Sequence, residues 1–301
     1  MAHRTVHTGS GRQLGLSGIG NAEAPRLVVL FHPTPGAGGF DPNPTVSNTS
    51  NIHLLTPDRP GYGSSDPLPD GVTPTIGSHV DDVAEYLRHA ESFALASSGV
   101  SFGSVGVIGW GGGGRYALAF AARHRAFVDK VVLVGTASPE HGPAPSGILE
   151  ATAIPERATM ASLLTSLEAT DRSALTPLGV VPGDPRLELP GLPQRLGHML
   201  GDAYRQGMAG VATDLLAAQD GSWFARLGAI TARTWLLYGA ADGYAGREDG
   251  EWFRARIPNA QLDIVDGSST LAIASEWERI VAYLEPERGD DAETPRGGTS
   301  S

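Results

Sequence analysis

The feature that most constrains the fold is a repeated alternation between short apolar runs and segments with helical periodicity. A continuous apolar run is typical of a strand that is buried on both faces of a sheet. Six such runs occur, at RLVVLFH (26–32), IHLLTPD (52–58), SVGVIGW (104–110), KVVLVGT (130–136), TWLLYGA (234–240) and AQLDIVD (260–266). Helical spacing of apolar residues falls between several of them, at 75–90, 113–124, 247–257 and 274–284. This order predicts an α/β fold with a mostly parallel central sheet flanked by helices.

One stretch between two of the predicted strands breaks the alternation. Residues 139–220 are rich in proline and glycine and their apparent elements are helical, which predicts a helical lid inserted into the core. The core then consists of residues 1–138 and 221–285. Residues 286–301 contain almost no apolar side chains, which predicts a disordered tail.

The composition narrows the expected partners and cofactors. The formal net charge of −11 argues against nucleic acid, and no apolar run reaches the length that would make a membrane a partner. The chain has no cysteine, which removes disulfides and thiolate ligands and fits a cytoplasmic protein. No cluster of residues has metal-ligand spacing, and no G-x-G-x-x-G motif follows a first strand. We therefore expect neither a metal nor an organic cofactor.

The segment VIGWGGGGRY (107–116) reads as a strand, a sharp turn and the start of a helix. In one large group of enzymes this turn has the sequence G-x-S-x-G and carries a nucleophilic serine. Here Gly111 stands at the central position, so the turn has no nucleophile. A literal match, GVSFG (99–103), places Ser101 before the strand instead of after it, and we interpret Ser101 as a loop residue.

Five segments together resemble the α/β-hydrolase fold, specifically its proline-iminopeptidase-like branch. They follow the family's order along residues 10 to 285, at FHPTPGAGG (31–39), TPDRPGYGSSD (56–66), the glycine turn, WLLYGAADGYAG (235–246) and IPNAQLDIVDGSSTLAI (257–273). The resemblance assigns the catalytic triad positions to Gly111, Asp242 and Thr270. The last histidine of the chain is His198, so no histidine can follow the acid. Without a hydroxyl and an imidazole, ordinary ester or peptide hydrolysis is not expected.

The oxyanion hole of the family uses backbone N–H groups and does not depend on the triad side chains. Gly112 would supply one donor at a helix start. Pro33 has no N–H, so Thr34 is the second candidate. Such donors stabilise an enolate as well as a tetrahedral intermediate, which points to proton abstraction next to a carbonyl.

No side chain is clearly placed as the base for such a reaction. His32, His79, Asp242 and Tyr116 each have a structural interpretation that we favour, so the substrate itself is the expected source of the base. The residues expected to contact the substrate are His32, Phe40, His79, Trp110 and Gly111. For Tyr62 and Phe102, substrate contact and simple packing remain open.

The missing triad and the glycine in the turn also resemble the atypical α/β-hydrolase-fold epimerases of bottromycin-type ribosomal peptide pathways. This resemblance implies an isomerase that inverts an aspartate Cα beside a thiazoline or thiazole. The partner would be a modified, macrocyclic, heterocycle-containing peptide, and its aspartate carboxylate would be the base. Two alternatives remain: an inactive pseudo-hydrolase that binds a peptide or small molecule, and a non-hydrolytic cyclase or lyase.

Overall fold

The computed structural model describes residues 2–98, 101, 103–141 and 158–285, and the predicted tail at 286–301 lies outside the described residues. Eight strands form one sheet in the order β1-β2-β4-β3-β5-β6-β7-β8. Their bounds are β1 Ala2–His7, β2 Gln13–Gly20, β3 Arg26–Phe31, β4 Ile52–Pro57, β5 Val105–Trp110, β6 Val128–Val134, β7 Arg233–Gly239 and β8 Ala260–Val265.

The strand pairing confirms the predicted sheet and adds a hairpin that the prediction lacked. Strands β3 to β8 pair only in parallel among themselves. Strands β1 and β2 form an antiparallel hairpin, and β2 is also antiparallel to β4. The six predicted strands are all present, and their ends differ from the predicted ends by at most two residues.

Helices cover both faces of the sheet because alternate strand residues point to opposite sides. The helices are α1 Pro44–Thr49, α2 Ile76–Ser98, α3 Gly113–Arg123, α4 Met160–Leu167, α5 Leu192–Ala203, α6 Ala209–Gln219, α7 Arg247–Arg254, α8 Ala272–Ser275 and α9 Trp277–Leu284. Val107 of β5 packs in the cluster that contains α2 and α3. The next residue, Ile108, packs in the cluster that contains α5, α8 and α9. The apolar run of β5 therefore contributes to two separate cores.

The connection between β6 and β7 carries α4, α5 and α6, in the region predicted as a lid. Leu163 and Leu167 of α4 pack with Val211 and Leu215 of α6 and with Tyr62 of the core in a third apolar cluster. Within this region α5 and α6 are separate helices, with residues 204–208 between them. Across the described part of the chain, none of the helices combines the length and the apolar character that crossing a bilayer requires.

Candidate active site

The turn after β5 keeps the backbone geometry of a nucleophile elbow. Gly111 has a φ of +53°, in the left-handed region where glycine is favoured. Its N–H donates to the Val134 carbonyl at 2.9 Å, and its own carbonyl accepts from the Gly114 N–H at 3.0 Å. A Cβ added to Gly111 would lie 3.3 Å from the Pro33 Cβ. The sharp strand-to-helix turn is thus formed without a side chain at its centre.

Thr270 stands at the position that the resemblance assigns to histidine, and it is hydrogen-bonded to Trp110. The Trp110 Nε1–H donates to the Thr270 Oγ1 at 2.6 Å. Both side chains are buried, and the indole lies 4.9 Å from the Phe40 ring, centroid to centroid. Trp110 therefore packs inside the protein, and its N–H has the Thr270 hydroxyl as its acceptor.

Asp242, which the resemblance assigns to the acid position, is a buried carboxyl with one oxygen that is unpartnered within the described part of the chain. Its Oδ1 accepts from the N–H groups of Tyr244 at 2.8 Å and Ala245 at 3.0 Å. Its Oδ2 is buried and has no hydrogen-bond partner among the described residues. Burial raises the pKa of Asp242 to about 7, against the opposing effect of the two N–H donors. A Cβ on Gly135 would lie 2.9 Å from both this Oδ2 and the Thr270 Oγ1, so the two side chains flank the same glycine.

The two predicted oxyanion donors lie next to each other. Gly112 immediately precedes α3 and is partly exposed, and no acceptor among the described residues takes its N–H. A Cβ on Gly112 would lie 3.3 Å from the Thr34 backbone nitrogen. Both residues line a cavity of about 20 Å³, and Asp214 and Tyr116 line it as well. A cavity of this size accommodates one oxygen atom or water molecule.

A buried ion pair lies directly behind the turn that carries Thr34. Arg59 donates to Asp214 of α6 through Nε and Nη2, and neither side chain is more than 5% exposed. Asp214 also accepts from the hydroxyls of Thr34 at 2.6 Å, Tyr116 at 2.8 Å and Tyr62 at 2.9 Å. Burial, followed by the charge of Asp214, raises the pKa of both tyrosines, so they stay protonated as donors.

This network joins helix α6 of the lid region to the turn formed by Pro33 and Thr34. Arg59 donates to the carbonyl of Pro33 at 2.8 Å and to the Thr34 hydroxyl at 3.0 Å. Asp214 belongs to α6, on the connection between β6 and β7. Neither Arg59 nor Asp214 is among the site residues predicted from the sequence. The available signal was a single carboxylate in the apolar segment GVATDLLAA (210–218), because a buried charge requires a partner.

The two candidate histidines are buried. The His32 Nδ1 bonds the Pro33 carbonyl at 3.0 Å and its Nε2 accepts from the Arg59 N–H at 3.2 Å. Burial and then Arg59 lower the pKa of His32 well below its usual value, which keeps the ring neutral. Both ring nitrogens of His79 are buried without a hydrogen-bond partner among the described residues, and burial lowers its pKa as well.

Substrate contact by the five residues named for it stays a prediction. All five residues are buried in the structure; they are His32, Phe40, His79, Trp110 and Gly111. Tyr62 is fully buried in the ion-pair network, and Phe102 lies outside the described residues. Ser101 is an exposed loop residue before β5, and its hydroxyl donates to Glu91 at 2.6 Å.

A cleft of about 790 Å³ lies beside the loop of residues 38–41, which follows the turn that carries Thr34. Helix α5 forms one wall, with Arg195, Gly197 and Gly201. The opposite wall comes from β1, β2, α1 and the loop residues that include Asp41 and Asp58. The elbow residues 110–113 are not among the residues that line this cleft.

Comparison with known proteins agrees with this architecture. A family model described as the alpha/beta hydrolase fold matches residues 27–269. A curated 2-hydroxy-6-oxononadienedioate/2-hydroxy-6-oxononatrienedioate hydrolase from Cupriavidus pinatubonensis is 28% identical over 273 residues, covering 87% of this chain and 85% of that protein.

Solved structures show the same fold at low sequence identity. An esterase from Exiguobacterium antarcticum matches with a TM-score of 0.66 and 18% identity, covering 94% of this chain and 98% of that one. A bromoperoxidase from Bacillus anthracis matches with a TM-score of 0.67 and 17% identity, covering 94% and 99%. With four fifths of its length matched by the family model, the chain belongs to the α/β-hydrolase fold family.

Proposed function

We propose that this protein is a non-hydrolytic enzyme that epimerises the Cα of an aspartate beside a thiazoline or thiazole in a modified peptide. The observation that carries the proposal is the small cavity at Gly112 and Thr34, beside an elbow that has no nucleophile. Backbone donors at a helix start favour a developing negative charge. Gly111 and Thr270 provide neither the hydroxyl nor the imidazole that acyl transfer requires.

The proposed reaction moves one proton and one electron pair. The aspartate side-chain carboxylate of the substrate accepts the proton from its own Cα, so the Cα–H bond breaks and a carboxylic acid O–H forms. The electron pair spreads into the adjacent heterocycle, and the N–H groups of Gly112 and Thr34 donate to the atom that takes up the charge. The carboxylic acid then releases its proton to solvent, and a proton from solvent adds to the opposite face of Cα, which restores the carboxylate and completes the inversion.

The protein's own titratable groups are poorly suited to the role of base. His32 is bonded through both ring nitrogens. The carboxylate of Asp214 already accepts from an arginine and three hydroxyls. Asp242 and His79 have side-chain atoms that are unpartnered among the described residues, but neither lines the cavity of Gly112 and Thr34. These contacts agree with a base supplied by the substrate. Its aspartate carboxylate is a weak base, but it is held close to the Cα–H, and this proximity compensates for its weakness.

The test is solvent deuterium exchange at Cα, followed by mass spectrometry. The probe is a synthetic macrocyclic peptide whose aspartate precedes a thiazoline. We expect the wild-type protein to introduce deuterium, and we expect no exchange when that aspartate is replaced by alanine. The folded variants His32→Ala, His79→Ala and Asp242→Asn should each retain measurable exchange. If one of them binds the peptide normally but exchanges nothing, the base is on the protein.

The competing function, ligand binding without chemistry, gives a different result in the same assay. A wild-type protein that binds the peptide but never introduces deuterium would be a pseudo-hydrolase, and the epimerase proposal would be wrong. The binding measurement must accompany the exchange measurement, because a peptide that does not bind tests neither function.

Restoring the nucleophile alone should not restore hydrolysis. In Gly111→Ser the new side chain starts 3.3 Å from Pro33, which that neighbour can accommodate by a small shift. The serine would have no imidazole to accept its proton, because Thr270 is bonded to Trp110 instead. We expect turnover of p-nitrophenyl acetate by Gly111→Ser to equal that of Gly111→Ala. Faster turnover by the serine variant would reveal a base that the structure does not assign.

A further inference from the structure

We propose that the cleft between α5 and the loop of residues 38–41 binds the main chain of the peptide substrate. This inference rests on the proposed function for the identity of the ligand, and on the cleft itself for the position. The cleft has a volume of about 790 Å³, which is within the range of ligand-binding pockets. Its walls belong to the lid region on one side and to the sheet and α1 on the other.

Two glycines of α5 keep one wall of the cleft open. Gly197 and Gly201 are one helical turn apart and both line the cleft. A Cβ added to either would meet no atom within 4 Å, and neither has a positive φ. Neither crowding nor backbone conformation therefore requires glycine here, although glycine weakens a helix interior. Two helix glycines facing an open cleft allow a ligand backbone to approach α5 closely.

The opposite wall presents an unused hydrogen-bond acceptor. Asp41 is only 8% exposed and lines the cleft. Its Oδ1 accepts from the Ser47 hydroxyl at 2.7 Å and from the Asn43 N–H at 3.1 Å. Its Oδ2 accepts from no donor among the described residues. Burial raises the pKa of Asp41, and the hydrogen bonds from Ser47 and Asn43 oppose that effect. The Arg195 Nη2 donates to the carbonyl of the adjacent Pro42 at 3.1 Å, which places the guanidinium near Asp41.

Asp41 and Arg195 together match the two polar groups of a peptide bond. The Asp41 Oδ2 accepts a ligand N–H. The Arg195 Nη1 and Nη2 each bond one carbonyl, of Pro190 and Pro42, and each retains a second N–H for a ligand carbonyl. An acceptor and a donor on the walls of a cleft that contains several glycines fit an amide main chain better than a purely apolar or an anionic molecule.

The experiment measures binding of the aspartate-to-alanine analogue of the macrocyclic thiazoline peptide, by calorimetry on the full-length protein. Gly197→Leu and Gly201→Leu fill the open wall and improve helix propensity, so a loss of binding cannot be ascribed to unfolding. We expect each to weaken binding by about tenfold or more. Asp41→Asn presents N–H donors where an acceptor is needed, and should weaken binding by about tenfold. Gln194→Leu, an exposed α5 residue outside the cleft, is the matched control and should stay within about twofold.

The failure of this inference is distinguishable from the failure of the proposed function. Unchanged affinity in both glycine variants overturns the cleft site, whatever the wild type does to deuterium at Cα. Normal binding by the wild type without any exchange overturns the epimerase, and the same affinities still decide whether the cleft holds the peptide. Equal loss of affinity in Gln194→Leu would show a general effect of α5 substitutions and would also overturn the cleft assignment.

Discussion

Replacement of Arg59 by methionine is expected to lower the free energy of unfolding by about 3–5 kcal/mol, because it leaves a buried carboxylate without its counter-ion. The side chains of Arg59 and Asp214 are 0% and 5% exposed. The variant also removes the donors that hold the carbonyl of Pro33 and the hydroxyl of Thr34. Urea denaturation of wild type and variant measures the change.

Two further variants make this result interpretable. Arg279→Met removes ion pairs with Asp263 and Glu276 from a guanidinium side chain that is 60% exposed, and it should cost less than about 1 kcal/mol because solvent screens such pairs. The double variant Arg59→Met/Asp214→Asn removes the isolated charge and should recover part of the lost stability. A small loss in Arg59→Met, equal to that in Arg279→Met, would contradict the buried charge pair.

Asp242→Asn is expected to stabilise the protein at alkaline pH and to have little effect at acid pH. Burial raises the pKa of Asp242 from 3.8 to about 7 in the folded state. Between these values the folded state holds one proton more than the unfolded state, so the wild-type free energy of unfolding falls as pH rises. The pKa difference corresponds to about 4 kcal/mol at most above pH 7. Asparagine stays neutral and can still accept the N–H groups of Tyr244 and Ala245.

Thermal and urea unfolding at about pH 5 and about pH 8 measures this pH dependence, since the two values lie inside and above the titration range. The control is Asp171→Asn, where hydrogen bonds from Ser173 lower the pKa of an exposed carboxyl, so the sign of the effect is opposite. If wild type and Asp242→Asn lose stability in parallel as pH rises, Asp242 does not carry the pH dependence.

Most of the sheet could be predicted because buried parallel strands are continuous apolar runs. RLVVLF of β3 and VGVIGW of β5 are buried at every position. The hairpin of β1 and β2 was missed because QLGLSGIG of β2 has glycines and a serine in place of a continuous apolar run, and because β1 is the edge strand of the sheet. Helix α1 was missed because its six residues are too few to show helical periodicity, although Asn43 caps it and Pro44 begins it.

The candidate site was predictable only where local sequence sets the backbone. The glycine turn at Gly111 follows a strand and precedes a helix, so its geometry could be inferred from the order of the elements. The Trp110–Thr270 hydrogen bond joins residues 160 positions apart, and the Arg59–Asp214 pair joins residues 155 positions apart. No local pattern contains such partners, because tertiary packing alone brings them together.

The hydrogen bond between Trp110 and Thr270 also limits which single substitutions could turn this chain into a serine hydrolase. A serine at position 111 would lack an imidazole to accept its proton. A histidine at position 270 would have to accept the buried indole N–H in place of the Thr270 hydroxyl, and that ring nitrogen would then not be free to act as a base. We therefore expect neither substitution alone to give hydrolysis.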